Sequence, residues 1–158
     1  MEAEYISIMI QSLEKKLRVL EQIRRLNDLQ KRQLKDPNLD PDDFEENINS
    51  KGELIEQLNL LDSGFERVYE RVREELNNDR SKYAPQIARM QELIRKIMAC
   101  GNEIGAQEER NKQQAQAKFD DVRKQVKNVR DSQKAVRQYY SSMMKNTENS
   151  PQFIDNKK

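Results

Sequence analysis

The sequence predicts an all-α protein, an elongated antiparallel bundle of three long helices with coiled-coil-like packing. Apolar residues recur at steps of three and four along most of the 158 residues, which is the period of one helix face. Glycine and proline, which interrupt helices, number only four each. Charged residues make up 36% and apolar residues 35%. This balance suits helices that each bury one stripe, and it is too polar for a thick spherical core.

The first helix is predicted from residue 3 to residue 34. After it, Asp36 and Pro37 end the helical pattern, because proline disfavours helical geometry in the residue that precedes it. The apolar stripe of this helix consists of Ile6, Met9, Ile10, Leu13, Leu17, Leu20, Ile23, Leu26 and Leu29.

The second helix is predicted from residue 41 to residue 79 and has the clearest start in the sequence. Asp40 is a suitable N-cap, and Pro41 fits the first helical position, where a missing N–H costs nothing. Asp42 and Asp43 place negative charge at the positive end of the helix dipole. The stripe has nearly heptad spacing and consists of Phe44, Ile48, Ile55, Leu58, Phe65, Tyr69, Val72 and Leu76.

The third helix is predicted from residue 86 to residue 143, either continuous or bent or broken. Its stripe is apolar at both ends, whereas its middle, from Glu108 to Ala115, is polar or small. At 1.5 Å per residue a straight helix would be ~87 Å long, and its last ~29 Å would extend beyond the second helix. The stripe of that overhang consists of Val122, Val126, Val129, Val136, Tyr140 and Met143.

The overhanging stripe leaves three arrangements open, because burying one Val or Met side chain contributes ~1.5–3 kcal/mol and the stripe will be covered. The helix bends near Gly101 or Gly105 and folds back, it pairs with a second copy in a homodimer, or it holds a partner helix in a groove. Residues 1–145 are predicted to form one helical-bundle domain. The tail, 146–158, loses the helical period, and we expect it to be mobile.

Composition also excludes several classes of function. The sequence has no histidine and one cysteine, Cys100, so it lacks Ser–His–Asp and Cys–His mechanisms and an internal disulfide. We expect no enzymatic activity, cofactor or metal site. No apolar run reaches the ~18–20 residues that span a membrane, and the acidic N-terminus is unlike a signal peptide, so a cytoplasmic protein without membrane insertion is expected. No nucleic-acid-binding motif is present, and the net charge is only +1.

Short segments follow one another in a recognisable order, namely residues 51–58, 61–70, 90–94, 108–111, 135–140 and 153–158. They read KGELIEQL, LDSGFERVYE, MQELI, EERN, AVRQYY and FIDNKK. In this order, and in a chain of this length, they resemble the flagellar export chaperones of the FlgN/FliT type, especially versions from clostridia-like bacteria. Each segment alone is a weak motif, since any helical bundle uses such residues.

The resemblance implies a chaperone that binds hook–filament junction (hook-associated) or other axial proteins, keeps them unpolymerised and delivers them to the type III export apparatus. Such clients present an amphipathic C-terminal helix. Carried onto this sequence, the client-binding positions are Val122, Val126, Val129, Val136, Tyr139, Tyr140 and Met143. Phe153 and Ile154 are then candidates for a lid over this region. The alternative function is a structural coiled-coil scaffold or a self-associating helical protein.

Overall fold

The protein, described here by a computed structural model for residues 2–119 and 130–140, is built from helices alone within those residues. Three of them are long, α1 (Glu2–Lys35), α2 (Pro41–Asn78) and α3 (Ala84–Lys118). A short helix, α4, comprises residues 130–140. The all-α prediction is therefore confirmed, and the ends of α1 and α2 lie within one residue of the predicted ends.

The helices run up, down, up and down, with α1 at the centre of the bundle. Helix α1 packs along both α2 and α3, whereas no Cα atom of α2 lies within 8 Å of a Cα atom of α3. Contacts of α4 fix its direction, because Gln133 lies beside Glu108 of α3 and Tyr139 lies beside Asp62 of α2. Helix α4 is thus antiparallel to α3 and fills part of the space between α2 and α3.

The start of α2 follows the prediction. Asp40 has extended backbone geometry, and its carboxylate accepts a hydrogen bond from the backbone N–H of Asp42 at 2.9 Å. Pro41 occupies the first turn, and Asp42 and Asp43 supply negative charge there. The cap satisfies one of the backbone donors that a helix start leaves without an intrahelical partner.

Of the alternatives predicted for the third helix, the continuous one that reaches residue 143 is wrong, and the helix is broken. Helix α3 ends at Lys118, and the backbone of Phe119 departs from helical geometry, with φ −111° and ψ 31°. The ring of Phe119 instead packs against the ring of Phe44, with centroids 5.1 Å apart, and Lys118 Nζ donates to the carbonyl of Asp36 at 2.6 Å. The end of α3 is therefore bound to the connection between α1 and α2.

The break in the third helix also lies elsewhere than predicted. Gly101 and Gly105, the suggested bending points, both lie inside α3, which is helical from Ala84 to Lys118. Steps of three and four continue in the sequence beyond Phe119, and α4 is itself helical, so apolar spacing alone does not mark the break. Phe119, the residue that follows α3, belongs to a small apolar cluster with Leu34, Phe44 and Ala115.

The interior of the bundle consists of two apolar clusters. The larger cluster extends from Ile6 in α1 through Leu58 in α2 and Met90 in α3 to Val136 and Tyr139 in α4. The smaller cluster, around Phe44 and Phe119, lies at the opposite end of the bundle. Buried polar side chains lie between the two clusters and form the floor and wall of the site described next.

Candidate helix-binding groove

The feature that most directly indicates a function is the groove between α2 and α3, which α4 occupies. We use "the groove" for the space bounded by Asp62 of α2, by Glu108 of α3 and by Lys16 of α1 beneath them. The inward face of α4 consists of Gln133, Val136 and Tyr139, spaced by one helical turn each and 3%, 2% and 7% exposed. Helix α4 is thus amphipathic and presents one narrow face to the groove.

Tyr139 joins three helices at one level of the groove. Its hydroxyl donates to Asp62 Oδ2 at 2.7 Å, and Lys16 Nζ lies 2.7 Å from Asp62 Oδ1. The same ammonium lies 5.4 Å from the centroid of the Tyr139 ring, within the range of a cation–π interaction. Burial, and then the negative charge of Asp62, raise the pKa of Tyr139, so its hydroxyl stays protonated and donates.

Tyr140 is less well placed than its neighbour. Its ring packs edge-on against Tyr139, with centroids 5.4 Å apart. Its hydroxyl is buried yet finds no hydrogen-bond partner among the residues that the structure describes. Burial, and then the negative charge of Glu108, raise the pKa of Tyr140. A buried hydroxyl without a partner weakens the packing of α4 in the groove.

A buried ion pair crosses the bundle at the other level of the groove. The ammonium of Lys51 in α2 lies 2.9 and 3.2 Å from the two carboxylate oxygens of Glu108 in α3. The side chains of Lys51 and Glu108 are only 1% and 6% exposed. Lys51 also donates to Asn27 Oδ1 at 3.0 Å and to Gln30 Oε1 at 3.5 Å, so all of its donors have partners from α1 or α3.

Amide side chains extend this ion pair into what we call the polar layer. Asn111 Nδ2 donates to the carbonyl of Asn27 at 3.0 Å and to Gln30 Oε1 at 3.1 Å. Asn47 Nδ2 donates to the carbonyl of Leu26 at 2.8 Å. Helix α4 joins the layer through Gln133, whose Nε2 donates to the carbonyl of Glu108. The polar layer consists of Asn27, Gln30, Asn47, Lys51, Gln107, Glu108, Asn111 and Gln133.

The sequence analysis identified only one side of the polar layer. The polar middle of the third stripe, from Glu108 to Ala115, is present in the structure, but Lys51, Asn27 and Gln30 were not recognised as interior residues. Leu29, which was assigned to the apolar stripe of the first helix, is 38% exposed. The sequence does carry a signal for these interior positions. Asn27 and Gln30 continue the spacing of the buried stripe of the first helix, because Ile23, Asn27, Gln30 and Leu34 follow one another at steps of four, three and four.

The structure places the predicted client-binding residues in two groups. Val136 and Tyr139 are buried and Tyr140 is half-buried, all against helices of the same chain. The idea that this stretch overhangs without an intramolecular partner is therefore wrong for α4, because the third helix ends early and α4 packs back. The remaining candidates lie outside the described residues, namely Val122, Val126, Val129, Met143 and the lid pair Phe153 and Ile154.

The described residues contain neither a candidate membrane span nor a cluster of metal-ligating side chains. No helix there is long and apolar enough to cross a membrane. No group of three or more Cys, Asp and Glu side chains in those same ranges is placed to hold a metal ion. Cys100 is a buried free thiol, and burial raises its pKa, which keeps it from the reactive thiolate form.

The described residues thus form an all-helical bundle with an amphipathic helix, α4, in the groove between α2 and α3. The family model described as FlgN protein matches residues 1–148. The chain therefore belongs to the FlgN family of flagellar export chaperones, as the resemblance indicated. Chaperones of this family bind flagellar axial proteins. No curated protein matches the chain, and no solved structure matches it.

Proposed function

We propose that this protein is a cytoplasmic chaperone of flagellar type III export that binds hook–filament junction proteins, keeps them unpolymerised and delivers them to the export apparatus. Membership of the FlgN family supports the chaperone role. The observation that carries the proposed binding mode is that the groove already holds an amphipathic helix. A groove that accepts α4 has the width, the apolar contacts and the polar partners that an amphipathic C-terminal helix of a client requires.

Exchange of α4 for a client helix is energetically reasonable. Most of the stability of a protein helix comes from tertiary packing of its amphipathic face, and the inward face of α4 is buried in the groove, so α4 depends on the groove for its structure. The client would rebury the apolar surface that α4 uncovers, which removes most of the net cost of exchange. Val136, Tyr139 and Tyr140 would become accessible only when α4 leaves the groove.

Two binding modes then predict opposite effects on the affinity for the client when α4 is weakened. If the groove binds the client, α4 is a competitor, and weakening α4 strengthens client binding. If the stripe that includes Val136 binds the client directly, as the sequence predicted, the same change weakens binding. We propose the groove mode, because the inward face of α4 is buried at all three of its positions, Gln133, Val136 and Tyr139.

The experiment measures the affinity of fluorescent peptides, taken from the C-terminal helices of the hook-associated proteins of the same bacterium, for the full chain. We expect Val136→Asp to tighten binding by about tenfold, since a buried charge disfavours the docked state of α4 by at least ~1.4 kcal/mol. Gln138→Asp adds the same charge on the exposed face of α4 and should leave affinity unchanged.

Other outcomes have clear meanings. Weaker binding by the Val136→Asp variant would overturn the groove mode in favour of direct capture by the stripe. Absence of binding to every junction and axial peptide by both wild type and variant would overturn the chaperone assignment of the client class. A stable wild-type dimer in sedimentation, without peptide binding, would instead favour the self-associating scaffold.

A further inference from the structure

The groove offers three chemically different levels to the helix that lies in it. At the first level, Gln133 meets the polar layer and donates to the carbonyl of Glu108. At the second level, one turn later, Val136 enters the larger apolar cluster. At the third level, Tyr139 donates to Asp62, which is already paired with Lys16. The helix in the groove therefore presents, in order along its sequence, a carboxamide, an apolar side chain and a hydroxyl donor.

Each level disfavours the wrong kind of side chain. At the polar layer an apolar side chain would take the space of Gln133 and leave buried polar groups without the hydrogen bond that α4 provides. At the apolar level a polar side chain would be buried without a partner. At the third level an apolar side chain would cover the Asp62–Lys16 pair without donating to it. Sliding the occupant by one turn would place an apolar residue at the polar layer.

The present occupant does not satisfy this groove fully. Gln133 Oε1 and the Tyr140 hydroxyl in α4, and Asn111 Oδ1 in the wall, are buried without hydrogen-bond partners among the described residues. A buried acceptor or donor without a hydrogen-bond partner has a higher free energy than one that is paired. A helix from another protein that keeps the three levels and buries no unpaired polar atom of its own would therefore bind more tightly than α4.

We propose that the groove selects its partner by a three-level pattern, namely a Gln or Asn, an apolar residue three positions later and a Tyr six positions later. This is the pattern Gln133-x-x-Val136-x-x-Tyr139, so the partner displaces α4 by presenting the same face. The proposal rests on the proposed function, since it specifies the chemistry of the client helix that the groove takes. It assigns a selective role to the polar layer that burial of apolar surface alone does not supply.

The test uses a labelled peptide with the sequence of residues 130–140, held helical by a lactam between Lys134 and the glutamate of Gln138→Glu. Both positions are exposed on α4, so the bridge lies away from the groove. The full chain carrying Val136→Asp, with its own α4 weakened, should bind this peptide at least about tenfold more tightly than the wild-type chain does. A second chain variant, Tyr139→Ala, gives the same comparison if the first does not fold.

Substitutions in the peptide then examine the first and third levels. Gln133→Leu and Tyr139→Phe in the peptide should each weaken binding about tenfold or more, the range expected for loss of one hydrogen bond to a buried or charged partner. Asp131→Asn, on the exposed face of α4, serves as the matched control and should change affinity less than twofold. A Gln133→Leu peptide that binds as tightly as the parent peptide would overturn the three-level pattern.

The experiments distinguish failure of the three-level pattern from failure of the proposed function. A Val136→Asp chain that binds junction peptides but not the 130–140 peptide would overturn the three-level pattern and leave the chaperone role intact. A chain that binds the 130–140 peptide with the expected dependence on Gln133, but no junction or axial peptide, would support the reading of the groove and overturn the proposed client class.

Discussion

Replacing Lys51 by methionine is expected to lower the free energy of unfolding by about 3–5 kcal/mol, the usual cost of removing one partner from a buried ion pair. The change leaves the carboxylate of Glu108, whose side chain is 6% exposed, without the ammonium 2.9 Å away. It also removes the donors that Lys51 gives to Asn27 and Gln30. Equilibrium unfolding in urea, monitored by helical circular dichroism, measures the effect.

The companion variant is Lys51→Met combined with Glu108→Leu, which replaces both charges by apolar side chains of similar size. We expect most of the lost stability to return, because apolar replacement of a whole buried pair is often neutral or stabilising. Glu103→Gln breaks the exposed pair with Arg24 at 3.3 Å and should cost at most about 1 kcal/mol. A single Lys51→Met variant as stable as wild type would contradict the buried pair.

Val136→Asp is expected to detach α4 while the three long helices stay folded. Val136 is 2% exposed, and burying an unpaired carboxylate there removes the packing of the inward face on which the docked helix depends. Hydrogen exchange of the amides of residues 130–140 should therefore accelerate about tenfold or more, whereas exchange in the interior of α1 should change little.

The control for detachment is again Gln138→Asp, since Gln138 lies on the exposed face of the same helix. It adds the same charge without burying it and should leave the exchange of α4 unchanged. Unaltered protection of residues 130–140 in the Val136→Asp variant would show that Val136 does not anchor α4. Faster exchange throughout the chain would show instead that α4 is part of one cooperative unit with the long helices.

The helices could be predicted from sequence because their signals are local. Asp40 and Pro41 start α2 by capping chemistry, and the apolar steps identify one face of each helix. The end of α3 could not be predicted in this way. It depends on Phe119 packing against Phe44, a contact between residues far apart in the chain, and the apolar spacing continues on the far side of the break.

The groove was predicted in part and for an incorrect reason. The sequence indicated that Val136, Tyr139 and Tyr140 lie on an interacting face, but it left open whether that face folds back on its own chain, pairs with a second copy or holds a partner helix. The polar layer was the main omission. Lys51 fills the gap between Ile48 and Ile55 in the second stripe, and a lysine at an interior position is recognised only when Glu108 is known to face it.

In the free protein α4 occupies the groove, and we propose that it leaves the groove when a client helix binds. Spin labels at Asn59→Cys on α2 and Lys134→Cys on α4, both exposed positions, in a Cys100→Ala background, measure this directly by the distance between them. We predict one narrow distance distribution in the free protein, and a longer, broader one when a junction-protein peptide saturates the chain. A distribution that stays narrow and unchanged at saturation would contradict displacement of α4.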